Sequence, residues 1–126
     1  MVCELKEALH QRPEALFALL HGSFIAEGPF RDIDLAVYVN SSAAKGVSFR
    51  EYEIDLAVAL TLKVHMSVDV RVLNDAPVAF RYHALKGLVL LVRDTEFLDE
   101  FRARTWDEYF DFASFARRYL REAIGG

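Results

Sequence analysis

Two aspartates one residue apart, Asp32 and Asp34, head the apolar run Ile33-Asp34-Leu35-Ala36-Val37-Tyr38-Val39. In a β-strand, residues i and i+2 share a face. The two carboxylates therefore project together, while Ile33, Leu35, Val37 and Val39 fill the opposite, core-facing side. Carboxylates so placed repel each other, and burying either one unpaired is costly. A hard divalent cation resolves the conflict, and Mg²⁺ is commonly held by one or two carboxylates plus substrate phosphates. Upstream lies Gly22-Ser23. Glycine there serves either a tight turn or the close approach of backbone N–H groups to a phosphate, with the serine hydroxyl as a further donor. Downstream, Val68, Val70 and Val72 alternate with Asp69 and Arg71, which places Asp69 on the polar face of a strand, available to join the first pair. Arg71 shares that face and either neutralises Asp69 or contacts a phosphate. Asp55 falls in a helical context and reads as surface. The residue types point to a metal–nucleotide site.

These residues need strands and turns to hold them, and the rest of the chain supplies the pattern. Residues 2–11 read as a short amphipathic helix, with Leu5 and Leu9 four apart and Pro13 stopping it. Leu16 to Leu20 is a buried strand leading into Gly22-Ser23. The strand carrying Asp34 runs from about Asp32 to Val39, and residues 40–46 have loop composition. Ser48 and Glu51 form a capping-box pattern that opens a helix to about Lys63. A third strand covers roughly 67–73. Asp75 followed by Pro77 signals a helix start, with an end near Gly87. Leu88 to Val92 is a fourth strand. From Asp94 a long helix reaches Arg121, with a break expected near Thr105. Strands mixed with helices in this way indicate an α/β sheet covered by helices.

At 126 residues the chain suits one domain, residues 1–126, with room for a real core but not a second one. Hydrophobic residues at 53% and charged residues at 27% exclude a disordered chain. A net charge of −4 argues against binding nucleic acid chiefly by neutralising phosphates. The N-terminus lacks a basic segment followed by an apolar run, so a secretory leader is not expected. Leu88 to Val92 is far too short to span a bilayer. A lone cysteine, Cys3, excludes an intramolecular disulfide and fits a reducing cytoplasm. His10, His21, His65 and His83 show no zinc-ligand spacing.

Gly-Ser, a short Gly-containing loop, then Asp-Ile-Asp-Leu resembles the signature of the DNA polymerase β-like nucleotidyltransferase superfamily. The similarity is greatest to its minimal branch, the small prokaryotic nucleotidyltransferases that act as antitoxins beside HEPN-domain toxins. It runs from about Leu16 to about Asp94 and more loosely into the C-terminal helix. The resemblance implies an α/β (α+β) fold, a mixed sheet of about four strands covered by helices, with a long C-terminal helix. It makes Asp69 the third carboxylate. It implies two Mg²⁺ ions on Asp32, Asp34 and Asp69, a triphosphate on Gly22 and Ser23, and transfer of AMP from ATP to a hydroxyl of an acceptor such as a HEPN toxin. The chain has no room for template-holding domains, so template-directed synthesis is not expected. Glu27 stands where many relatives carry a basic residue, and Arg31 where a serine often precedes the first aspartate. A second reading follows from that departure: a non-catalytic antitoxin that blocks its partner by occlusion.

Eight aromatic residues lie between Phe97 and Tyr119. Most belong in a core, but they point at too many angles for one buried face. The excess implies an interface over residues 97–120 with a homodimer partner or a HEPN-type protein, and Trp106, Tyr109 and Tyr119 are the first candidates for it.

Overall fold

The computed structural model describes residues 1–21, 32–41 and 46–125. Its elements run α1 (Val2–His10), β1 (Ala15–His21), β2 (Ile33–Val39), α2 (Phe49–Val64), β3 (Val68–Val72), α3 (Val78–Ala84), β4 (Leu88–Val92) and α4 (Thr95–Gly125). The strands form one sheet in the order β3-β2-β1-β4. β1 pairs antiparallel with both β2 and β4, whereas β2 and β3 are parallel, with α2 as the crossover between them. The sheet is therefore mixed, as expected.

Strand alternation sorts side chains between two cores. Ile33, Leu35, Val37 and Val39 of β2, with Val68, Val70 and Val72 of β3, meet Leu5 and Leu9 of α1 and Tyr52, Leu56 and Leu60 of α2. On the other face, Phe17, Leu19, Ala36 and Leu73 meet Ala84 and Leu85 at the end of α3 and Leu98 and Phe101 of α4. Ser48 opens α2 as the capping pattern requires, its hydroxyl accepting from the Glu51 N–H at 3.1 Å. Within α2, Tyr52 donates to Glu14 at 2.6 Å. Burial, then the Glu14 carboxylate, pushes the Tyr52 phenol well above its ordinary pKa.

Three local arrangements fix the strands. Asn74 clamps the end of β2: the Val39 N–H donates to Asn74 Oδ1 at 3.0 Å, and Asn74 Nδ2 donates to the Val39 carbonyl at 2.7 Å. The side-chain amide thus continues the β2–β3 ladder past Leu73, whose N–H donates to the Val37 carbonyl. On the outer edge of β3, α2 takes up backbone donors, Thr61 Oγ1 accepting from Val68 and Glu53 Oε2 from Val72. At the start of β4, Gly87 lies so close to β1 that a Cβ there would sit 2.0 Å from the Leu20 carbonyl oxygen.

α4 differs from expectation. It runs unbroken from Thr95 to Gly125, without a break at Thr105. That threonine is fully buried, on the face that carries Leu98 and Phe101, so packing carries the helix through a residue of modest helix propensity.

Candidate active site

The alternation of β2 and β3 decides where the acidic residues point. Asp34 shares its face with Ala36, and Asp69 and Arg71 share theirs with Leu73, so all three project to the α3–α4 side of the sheet. Register then brings them together. Asp34 lies opposite Asp69 across the parallel β2–β3 pairing, and opposite His21 across the antiparallel β1–β2 pairing. His21, Asp34 and Asp69 form one row across three neighbouring strands. Asp34 is half-buried and Asp69 exposed, while Asp32 is exposed just ahead of β2. Asp55 is exposed on α2, away from this row.

Gly22 and Ser23, expected to contact phosphate, lie outside the described residues, as do Glu27 and Arg31. The chain enters that stretch directly from His21 and leaves it at Asp32.

His21 is the residue the sequence reading missed. Its Nε2 is buried and has no hydrogen-bond partner among the described residues. The ring stands edge-on to Phe80 of α3 at 5.3 Å between centroids. Burial lowers its pKa below the ordinary histidine value, opposed by the charges of Asp34 and Asp69 and assisted by Arg71. A single histidine outside any ligand spacing carries no signal in one sequence; only the β1–β2 register reveals its neighbours. Arg71, left between two roles, has its guanidinium over the Phe80 ring at 4.7 Å. This cation–π contact holds the charge beside the row while leaving its N–H donors available.

Oxygen donors on one face suit a hard cation such as Mg²⁺. Asp34 and Asp69 could supply two of them, the other ligands coming from phosphate and water. Among the described residues, no three His, Cys, Asp or Glu side chains stand grouped closely enough to hold a metal by themselves. No helix among the described residues is long and apolar enough to cross a membrane.

Residues 4–96 match the sequence model of a family described as polymerase beta, nucleotidyltransferase. The fold is similar to a chain from a toxin–antitoxin crystal structure with AMP-PNP, at a TM-score of 0.77 and 17% identity over 98% of both chains. It is similar to a chain of the MntA-HepT toxin–antitoxin, at 0.73 and 17% identity, over 98% of this chain and 97% of that one. A third likeness is to a chain of the tri-AMPylated Shewanella oneidensis HEPN toxin in complex with its MNT antitoxin, at 0.72 and 17% identity, over 99% of this chain and all of that one. At such identities the likeness is one of fold. No curated protein sequence matches the chain.

Proposed function

The chain belongs to the polymerase β nucleotidyltransferase family, and we propose that it transfers AMP from ATP to a hydroxyl of a HEPN-type toxin, acting as that toxin's antitoxin. The observation that carries this reading is the register of Asp34 against Asp69 on one face of the sheet. Support for the donor and acceptor comes from the solved structures of similar fold, one with AMP-PNP and one with a tri-AMPylated HEPN toxin beside an MNT antitoxin.

In this reading Asp32, Asp34 and Asp69, together with phosphate and water oxygens, would hold two Mg²⁺ ions, and Gly22 and Ser23 would hold the triphosphate. The bound ions would draw charge from the phosphates and make the attacking hydroxyl more acidic. Asp69, exposed at the outer strand of the row, accepts the acceptor's proton. The acceptor oxygen bonds to the α-phosphorus as the bond to the bridging oxygen breaks, and pyrophosphate leaves. Arg71, pinned on Phe80 but with donors to spare, steadies negative charge on the leaving side. Apart from the proton taken up by Asp69, these side chains position groups and stabilise charge, which is where most of the catalysis of phosphoryl transfer lies.

The test is incubation of the purified chain with a cognate HEPN toxin, ATP and Mg²⁺, followed by intact-mass spectrometry of the toxin. Addition of one or more AMP masses is expected. A toxin that is bound and silenced yet unchanged in mass would establish occlusion in place of transfer.

A further inference from the structure

Past Tyr109, α4 leaves the body of the protein with its packing face bare. Its buried residues are Leu98, Phe101 and Thr105, at spacings of three and four that keep them on one side of the helix. The same spacing continues through Glu108 to Phe112, Phe115 and Tyr119. Cover ends where Tyr109 stacks on Tyr82 of α3, with ring centroids 3.8 Å apart. Beyond it Phe112 is 51% exposed, Phe115 68%, Tyr119 63%, Leu120 56% and Ile124 82%. A buried aromatic ring removes about 150–250 Å² from water, so Phe112, Phe115 and Tyr119 leave roughly 350 Å² of apolar surface on one helix face, with Leu120 and Ile124 turned away from it. That lies within the range of the largest patch on a typical monomer, about 300–600 Å². Trp106 and Tyr109, candidates from the sequence, are half-buried against Tyr82; the bare face lies further along.

We propose that this face pairs with the same face of a second copy of the chain, the two helices running antiparallel and crossing between Ser114 and Phe115. Charge selects this occupant. α4 is acidic through Asp107, Glu108 and Asp111, then basic at Arg117, Arg118 and Arg121. Asp111 and Arg118 are seven residues, two turns, apart and border the same edge of the apolar face. They are equidistant from the crossing, so a two-fold axis there sets Asp111 of each copy beside Arg118 of the other, twice over. An isologous contact requires such self-complementarity. The antiparallel arrangement also carries the two globular bodies to opposite ends of the helix pair. Asp34 and Asp69 lie on β2 and β3, outside the paired segment of α4, so the proposal is tested separately from the transfer reaction.

Sedimentation velocity of the purified full chain over a concentration series tests it. A dimer is expected, and Phe115→Glu should weaken it by more than about a hundredfold, because a buried aromatic lost from both copies removes two anchors. Circular dichroism should be unchanged, since Phe115 is exposed in the single chain. Arg118→Asp alone should weaken the dimer several-fold, as should Asp111→Arg. The double variant carrying both exchanges should restore wild-type affinity. A chain that stays monomeric at high micromolar concentration overturns the proposal. So does a double variant no better than the singles, or a tail whose replacement disturbs only capture of a HEPN-type protein.

Discussion

Asp34 and Asp69 stand directly opposite each other on adjacent parallel strands, two like charges in register on one face of the sheet. Like charges placed across a strand pair destabilise it, typically by about 0.2–1 kcal/mol. In the metal-free protein, Asp34→Asn should therefore raise stability by a few tenths of a kcal/mol, read as a higher urea midpoint at unchanged slope. The same substitution should abolish transfer to the toxin. A residue kept only for structure would show the opposite pattern, with lower stability and retained activity.

Asp69 should separate from Asp34 kinetically. If it holds the metal near the acceptor and takes the acceptor's proton, Asp69→Asn should lower turnover by orders of magnitude while nucleotide affinity falls much less. Single-turnover transfer alongside nucleotide titration makes the comparison. Lost affinity with normal turnover at saturation would contradict this division.

The register itself depends on Asn74. Asn74→Ala strips the Val39 N–H and carbonyl of their partners at the end of β2, and leaving half-buried backbone groups unpaired costs about 1–3 kcal/mol. Chemical denaturation should show that loss. Asn74→Asp should recover only part of it, because a carboxylate accepts from Val39 N–H but cannot donate to the carbonyl.

Arg93 ties the ends of α1, β1 and β4 together. Its guanidinium donates to the carbonyls of Ala15, Leu9, His10 and Arg12 at 2.7 to 3.4 Å. A lysine has the charge but not the planar fork. Arg93→Lys is expected to cost about 1–2 kcal/mol and Arg93→Ala more, with amide hydrogen exchange accelerating first in α1.

Much of this was written in local pattern. The alternation of Val68, Val70 and Val72 with Asp69 and Arg71 gave both the strand and its polar face, and the Ser48–Glu51 pair marked the start of α2. What stayed hidden depends on register between distant segments. His21 joins Asp34 only through the β1–β2 pairing, and Asn74 reaches Val39 across thirty-five positions. Gly87 shows its constraint only against Leu20, because a glycine before an apolar run reads equally well as an ordinary turn. The break expected at Thr105 failed because tertiary burial overrode local propensity. Gly22 and Ser23, placed at the site by sequence alone, lie outside the described residues.

The central claim is that the face carrying Asp34 and Asp69 binds a metal–nucleotide complex. Titration calorimetry of the full chain with AMP-PNP, with and without Mg²⁺, tests it most directly. Binding should require Mg²⁺ in the wild type and fall by more than about tenfold, over 1.4 kcal/mol, in Asp34→Asn. Equal, Mg²⁺-independent binding by both proteins would contradict the account.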